Sequence, residues 1–519
     1  MRLNTKFALS LISGFFLLTT SSAQIYCPAI PLPSKAEFQN GTFLLNQYTP
    51  ILISNESLQP VAHYLQEELL RNYDIPLVLQ AASVRPYIKL NLIKAGAEEA
   101  YSLQMNSKGI TISASSETGA FYGVISVLQI LSQGKISNGS VSISCWNITD
   151  EPKYRWRGFM LDESRYFFGK EKVKSILDWM AFYKLNRFHW HLTDAPGWRI
   201  EIKKYPLLAL IGGIGNQADP FAPAKYYTQE DIKEMVSYAK ERHIIIIPEI
   251  DMPGHATAAN RAYPEFSGGG SEKHPEFTFN PGYEKTYSYL TNILRETNAL
   301  FPGGMLHLGG DEVSFGNEKW LSNDNIKHLM KVNGLESAKE VEKYFIERMA
   351  DSVYQLNASL LAWDEVADLN LAADKTIIFW WRQDKPEQLK KALQKKYEVV
   401  LCPRLPFYFD FVQDSSHTLG RKWDGKFSSL RDVYDFKASD LPEIQPQNTK
   451  QVLGIQANLW TETISNEQRL DTMLFPRIAA LAEAAWTMDD KKNFAVFKQR
   501  LVSHFALYEK AGILYYKPF

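Results

Sequence analysis

Cysteine is nearly missing from this chain: Cys27, Cys145 and Cys402 are the only three in 519 residues. Thiols so few and so scattered exclude a disulfide framework and a cysteine-ligated zinc site. A surplus of charge is missing as well. Lys and Arg number 57 and Asp and Glu 58, for a net charge of −1. That balance excludes the basic footprint of a chain whose main partner is nucleic acid. No apolar run reaches the ~18 to 20 residues of a membrane span. Low-complexity tracts are lacking too, and 45% hydrophobic with 22% charged residues describes a globular protein with ample core.

Aromatic residues are plentiful: 12 Trp, 26 Tyr and 29 Phe. Flat rings with polar tips suit the faces of sugars, but they also fill cores, so the count alone decides nothing. The length allows two to four domains of about 150 residues, or fewer if one is a large barrel. At the N-terminus, Arg2 and Lys6 precede an apolar stretch over 7–18 and the small residues Ser21-Ser22-Ala23. This pattern predicts a signal peptide over 1–23, cleavage near Ala23 and export to a periplasmic, extracellular or lysosomal compartment.

Residues 24–150 read as a small α+β domain. Segments 87–93 (YIKLNLI) and 109–113 (GITIS) are strand-like, and 61–73 and 120–131 are helix-like. No group of reactive side chains stands out here. From 151 to 519 the pattern changes. Short β-rich runs recur at 157–162, 187–192, 244–250, 305–308, 360–363, 376–380, 398–402 and 452–456, with helical or loop segments between them. Eight such runs predict an α/β fold, a (β/α)8 TIM barrel. Val173, Ile176, Leu177 and Met180 mark an amphipathic helix between the first two runs. A final helix is expected over 471–486, with Pro476 near its start.

A barrel gathers its reactive groups at the C-terminal ends of its strands. The polar residues fall there: Asp162-Glu163-Ser164-Arg165, Thr193-Asp194, Glu249-Ile250-Asp251 running to His255, Gly309-Gly310-Asp311-Glu312, Asp364-Glu365 and Thr461-Glu462. Asp311-Glu312 is the pair that most suggests catalysis. Strand neighbours point to opposite faces, so both carboxylates share a site only where the strand has ended, and Gly309-Gly310 permits that. Two close carboxylates separate their proton affinities, which is how one becomes an acid while the other stays ionised. Acidic residues at a helix N-terminus would explain a bare Asp-Glu dipeptide. The HLGG that precedes the pair at a strand end favours catalysis instead.

His189 and His191 project from one face of the second run, the spacing of two metal ligands in a barrel hydrolase. Hydrogen-bonded core histidines would show the same spacing. His255 follows a tight turn and is placed to tune a neighbouring carboxyl. Trp363, Trp381 and Trp460 lie at the ends of runs five, six and eight, where they either wall a pocket or plug the barrel rim.

In order along the chain stand RGFMLDESR (157–165), NRFHWHLTDAPGWRIEI (186–202), PEIDMPGH (248–255), HLGGDEV (307–313), AWDEV (362–366), WWR (380–382) and NLWTE (458–462). Together they resemble glycoside hydrolase family 20, the β-N-acetylhexosaminidases, and the region before residue 150 is similar to that family's small α+β domain. The resemblance implies an exo-acting retaining enzyme that removes terminal β-linked GlcNAc or GalNAc from a glycan, with the substrate's own acetamido group as nucleophile. It implies Glu312 as acid and base, Asp311 as the partner of the acetamido N–H, and Tyr408 as donor to the acetamido oxygen. Trp363, Trp381 and Trp460 would pack around that group. Arg165 and Glu462 would hold the 3- and 4-hydroxyls, Asp410 would lie near the 6-hydroxyl, and Asp194 and His255 would support the acid. No metal or other cofactor is implied. One departure stands out: Ala195-Pro196 follows Asp194, where many relatives carry a second acidic residue.

Overall fold

Alternation sets the first sheet. In Tyr101–Asn106 the side chains of Tyr101, Leu103 and Met105 are buried while Gln104 and Asn106 are exposed, the period-two pattern of a strand with one covered face. The computed structural model describes residues 26–83, 86–417, 420–422 and 425–519, and the expected signal segment lies outside them. Seven strands make this sheet: β1 (Lys35–Asn46), β2 (Ile51–Ile53), β3 (Tyr87–Leu92), β4 (Tyr101–Asn106), β5 (Gly109–Ala114), β6 (Lys135–Ser137) and β7 (Ser140–Asp150). Their order is β1-β7-β4-β5-β3-β2, with β6 on β7. The helix Glu117–Leu131 is buried along its whole length from Gly119 onward. Such a helix must be covered on all sides. The sheet takes one side, and Gln129 donates to the carbonyl of Phe182 at the end of a barrel helix on another.

The eight β-rich runs all form strands of one closed parallel barrel. These are β8 (Trp156–Asp162), β9 (Arg187–His191), β10 (Ile245–Glu249), β13 (Met305–His307), β14 (Ser359–Trp363), β15 (Thr376–Trp380), β16 (Glu398–Leu401) and β17 (Val452–Leu459). A small hairpin of β11 (Ser267–Gly269) and β12 (Thr278–Phe279) lies in the loop after β10. The barrel closes where Gly454–Leu459 pairs with Trp156–Leu161. Strands of a barrel are covered on both faces, and all seven residues of β8 are buried. Val173, Ile176, Leu177 and Met180 are the buried stripe of the helix Lys170–Phe182. The unit after β14 departs from the repeat, with two short 3-10 turns, Asp364–Asp368 and Ala373–Lys375, in place of an α-helix.

The C-terminal end also differs from the sequence expectation. The single helix over 471–486 is two, Glu467–Leu474 and Arg477–Trp486, and a further helix, Phe494–Lys510, follows. Proline has no N–H to continue a helix, and its ring drives the preceding residue out of the helical region. Phe475 is accordingly extended, with φ −97° and ψ 138°. One apolar core runs from Ala29 and Ile30 through the sheet and the outer shell of the barrel to Ile513.

Candidate active site

Strand β13 ends at His307, and the chain then turns through Gly309 and Gly310 at φ 66° and 87°. Glycine is required here for space as well as for torsion, since a Cβ on Gly309 would lie 1.9 Å from Asp251 Oδ1. The turn releases Asp311 and Glu312 from strand alternation, and both line one cavity of about 480 Å³ at the C-terminal mouth of the barrel. Glu312 itself takes a left-handed conformation, φ 51°, and leads into the 3-10 turn Val313–Phe315. No α-helix begins at the acidic pair, so the helix-dipole explanation does not apply to it.

His255 joins the two carboxylates. Its Nε2 lies 3.8 Å from Asp311 Oδ2 and 3.7 Å from Glu312 Oε2, while its Nδ1 meets Asp194 Oδ1 at 3.0 Å. Asp194 is a junction: Arg165 reaches Oδ2 at 2.7 Å, His191 Nε2 reaches it at 2.9 Å, and the N–H of Ala195 donates to Oδ1 at 2.6 Å. The residue after Asp194 therefore contributes its backbone, which Ala serves as well as an acidic residue does. His191 passes the line of charge inward to Glu249, with Nδ1 2.6 Å from Oε2. Anion and cation alternate from Glu249 through His191, Asp194 and His255 to the Asp311–Glu312 pair.

Burial and pairing compete in setting these charges. Burial alone would lower the His255 pKa, but Asp194 and Asp251 raise it well above the usual histidine value. Burial would raise Asp194, yet Arg165 and His255 hold it well below the carboxylate range. Among the described residues, Asp311 has no such cation in hydrogen-bond contact. Burial pushes its pKa up to about 7, opposed by His255 and reinforced by Glu312.

Aromatic and polar groups from four further strand ends complete the wall. Trp381, Tyr408, Asp410, Trp460, Glu462 and Arg165 all line the cavity. The Trp381 and Tyr408 rings are stacked at 6.1 Å with 14° between planes, and Tyr408 meets Trp460 at 6.2 Å. The Arg165 guanidinium lies over Trp460, 5.0 Å from the ring centroid. Trp363 is placed differently from its two partners. It is only 1% exposed, packs under Trp460 at 5.9 Å, and donates its indole N–H to Glu249 at 2.9 Å. It supports the cavity from beneath.

Several contributors were not singled out as site residues from the sequence. Asp364 accepts from the backbone N–H groups of Trp381 and Arg382, each at 3.1 Å, and Glu365 accepts from the Trp381 indole at 3.1 Å. Glu249 sits among His189, His191, His307 and Trp363. All of these lie inside segments whose polarity was visible, but their partners come from other strands. The histidine pair is part of this interior. His189 and His191 both face Glu249, at 3.0 and 2.6 Å. Burial would lower the His191 pKa, but Glu249 and Asp194 raise it well above normal.

A second cavity, about 850 Å³, lies at the opposite end of the barrel, where Trp156, Arg187, Ile245 and Met305 begin or nearly begin their strands. Three of its charged groups are held in ion pairs on this face: Arg155 with Glu398 at 3.3 Å, Glu99 with Arg157 at 2.8 Å and Lys153 with Asp489 at 2.7 Å. The mouth lined by Asp311 and Glu312 is the end at which barrels of this kind carry their chemistry.

Known proteins match this arrangement along its length. The catalytic domain of glycosyl hydrolase family 20 matches residues 154–489, and domain 2 of that family matches residues 26–151. A beta-hexosaminidase of Porphyromonas gingivalis is 34% identical over 94% of the chain, which spans 64% of that relative's length. A beta-N-acetylhexosaminidase of Cellulomonas fimi is 28% identical over 93% of the chain and 94% of its own. Among solved structures, a family 20 exo beta-N-acetylglucosaminidase from Vibrio harveyi, in complex with N-acetylglucosamine, superposes with a TM-score of 0.87. It is 32% identical, over 95% of this chain and 79% of that one. With both regions matched in order and the HLGGDE turn at the barrel mouth, the chain belongs to glycosyl hydrolase family 20.

Proposed function

We propose that this protein is an exported, exo-acting β-N-acetylhexosaminidase that cleaves terminal β-linked GlcNAc or GalNAc with retention, through an oxazoline intermediate. The observation that carries the reading is the Asp311–Glu312 pair around His255, in a cavity walled by Trp381, Tyr408 and Trp460. The beta-hexosaminidase relatives support it.

The acetamido oxygen attacks C1 as the bond from C1 to the leaving oxygen breaks, and Glu312 gives that oxygen its proton. Asp311 accepts a hydrogen bond from the acetamido N–H and offsets the positive charge developing on the group. Tyr408 donates its O–H to the acetamido oxygen and aims it. Water then attacks C1 from the side the leaving group vacated, Glu312 takes a proton from that water, and the oxazoline opens. Configuration at C1 is retained and no enzyme carboxylate is ever bonded to the sugar. Arg165 and Glu462 grip the 3- and 4-hydroxyls, and Asp410 lies toward the 6-hydroxyl. Asp194 keeps His255 charged, and His255 steadies the Asp311 carboxylate.

Replacing the acid tests the assignment. Glu312→Gln is expected to slow hydrolysis of an alkyl β-N-acetylglucosaminide, whose leaving group needs a proton, by about 10²-fold or more. Turnover equal to wild type would remove Glu312 from that role. The competing proposal of a metal hydrolase built on His189 and His191 predicts loss of activity on exhaustive chelation. The glycosidase reading predicts full activity after it.

A further inference from the structure

Among the described residues, Phe315 is the most exposed aromatic ring in the cavity wall, at 48%, whereas Tyr408 is 7% exposed. It stands three residues after Glu312, at the end of the 3-10 turn Val313–Phe315. An isolated surface phenylalanine needs no explanation. This one is held in place with unusual care for an exposed ring. Ser271 Oγ donates to the Phe315 carbonyl at 2.8 Å and accepts from the N–H of His274 at 3.1 Å. One hydroxyl thereby fixes the backbone of two residues whose rings stack, with centroids 5.9 Å apart and planes at 23°. The following residue lies close against a neighbour. A Cβ on Gly316 would lie 2.4 Å from Phe277 Cβ, and the Phe277 ring packs on His255 at 4.8 Å. The residue after the exposed ring thus packs on Phe277, which packs on the same histidine that faces Glu312.

The chemistry locates what meets this ring. Glu312 must reach the oxygen between the sugar being removed and its leaving group. Arg165, Trp460 and Glu462 hold the sugar being removed, so the leaving group lies on the Glu312 side of the mouth. A pyranose leaving group presents a face of C–H bonds, which packs on an aromatic face, and a ring already immobilised loses little entropy in receiving it. We infer that Phe315, backed by His274, is the acceptor-side platform on which the pyranose ring of a glycan leaving group stacks. This inference rests on the proposed glycosidase reading and names the substrate class it favours: sugars linked to sugars over sugars linked to small alkyl groups.

The test compares two substrates, a β-linked N-acetylglucosaminyl disaccharide and methyl β-N-acetylglucosaminide. Phe315→Ala is expected to raise KM for the disaccharide about tenfold with kcat little changed, while KM for the methyl glycoside changes less than about twofold. Phe315→Trp should restore the disaccharide KM. Equal losses on both substrates would mark a structural role and overturn the inference, as would no change on either. Binding to the Glu312→Gln variant keeps the two readings separate. Calorimetry should show the disaccharide binding more tightly than the methyl glycoside, and Phe315→Ala should abolish the difference. A wild type that cleaves neither substrate overturns the glycosidase reading. A Glu312→Gln variant that binds both equally overturns the platform.

Discussion

At the scale of single residues, the site is a set of charges whose neighbours decide which stay charged. Asp194 has Arg165 and His255 beside it and stays ionised; His255 has Asp194 and stays protonated. Asp311 is the exception, with a pKa pushed up to about 7 by burial. In the proposed mechanism the ionised form is the one that accepts the acetamido N–H strongly. In the free protein that form is lost as pH falls below about 7, so binding must then displace a proton. Affinity for N-acetylglucosamine should therefore rise by up to about tenfold per unit as pH approaches 7 from below, and level off above it. Competitive inhibition measured from pH 5 to 9 checks this. Asp311→Asn should flatten the profile, and a flat wild-type profile would show that the acetamido group does not engage Asp311 in this way.

At the scale of elements, loops beyond the strand ends carry the site, and buried arginines fasten them. Arg199 donates to the carbonyls of Ser164, Gly213, Gly215 and Lys225, which holds the loop of Arg165 against its neighbours. Arg477, fully buried in the helix Arg477–Trp486, donates to the carbonyls of Phe409 at 2.6 Å and of Phe411 and Ser428 at 2.9 Å. The Phe409 and Phe411 carbonyls flank Asp410, and Tyr408 and Asp410 line the cavity. Burial brings the Arg477 pKa down only to about 9, so it remains a cation near neutrality. Arg477→Met would orphan these carbonyls at about 1–3 kcal/mol each. We expect kcat/KM to fall by about tenfold or more and the melting temperature to drop by several degrees, read by kinetics and by calorimetry. Unchanged kinetics would show that the loop holds its shape without the arginine.

The strands themselves are legible in the sequence, because each is a short β-rich run, six of the eight end in polar residues, and each lies where expected. Arg477 was not, since its partners are carbonyls of a loop some 50 to 70 positions earlier and carbonyls leave no trace in composition. Strand β14 lies where the run 360–363 places it, but nothing in AWDEV announces that 3-10 turns replace the helix after it. The HLGGDE turn was legible for a physical reason: two glycines and two acids at a strand end are costly together without a use. Trp363 and Trp460 looked alike in sequence. Depth separates them, for one lies beneath the cavity and the other lines it.

Across the whole molecule, the first sheet and the barrel are joined by buried charges as well as by a common apolar core. Arg157, on the first barrel strand and inaccessible to solvent, pairs with Glu99 at 2.8 Å, and Lys184 pairs with Asp150 at 3.2 Å with both side chains fully buried. Removing one partner of such a pair strands the other, at a cost of about 3–5 kcal/mol. Glu99→Ala should therefore lower stability by that order in chemical denaturation, and Arg157→Leu should cost at least as much, because Arg157 also donates to the carbonyls of Tyr154 and Lys184. A single-variant cost below about 1 kcal/mol would mean that the junction does not depend on this pair.

The central claim is that the substrate's acetamido group does the work of a nucleophile inside this barrel. The most direct measurement is kcat/KM of the purified protein on matched chromogenic β-glycosides of N-acetylglucosamine, N-acetylgalactosamine and glucose. Substrate assistance predicts turnover of one or both N-acetyl sugars and a loss of at least about 10³-fold on the glucoside, which has no group to close onto C1. Comparable turnover of the glucoside would contradict the account.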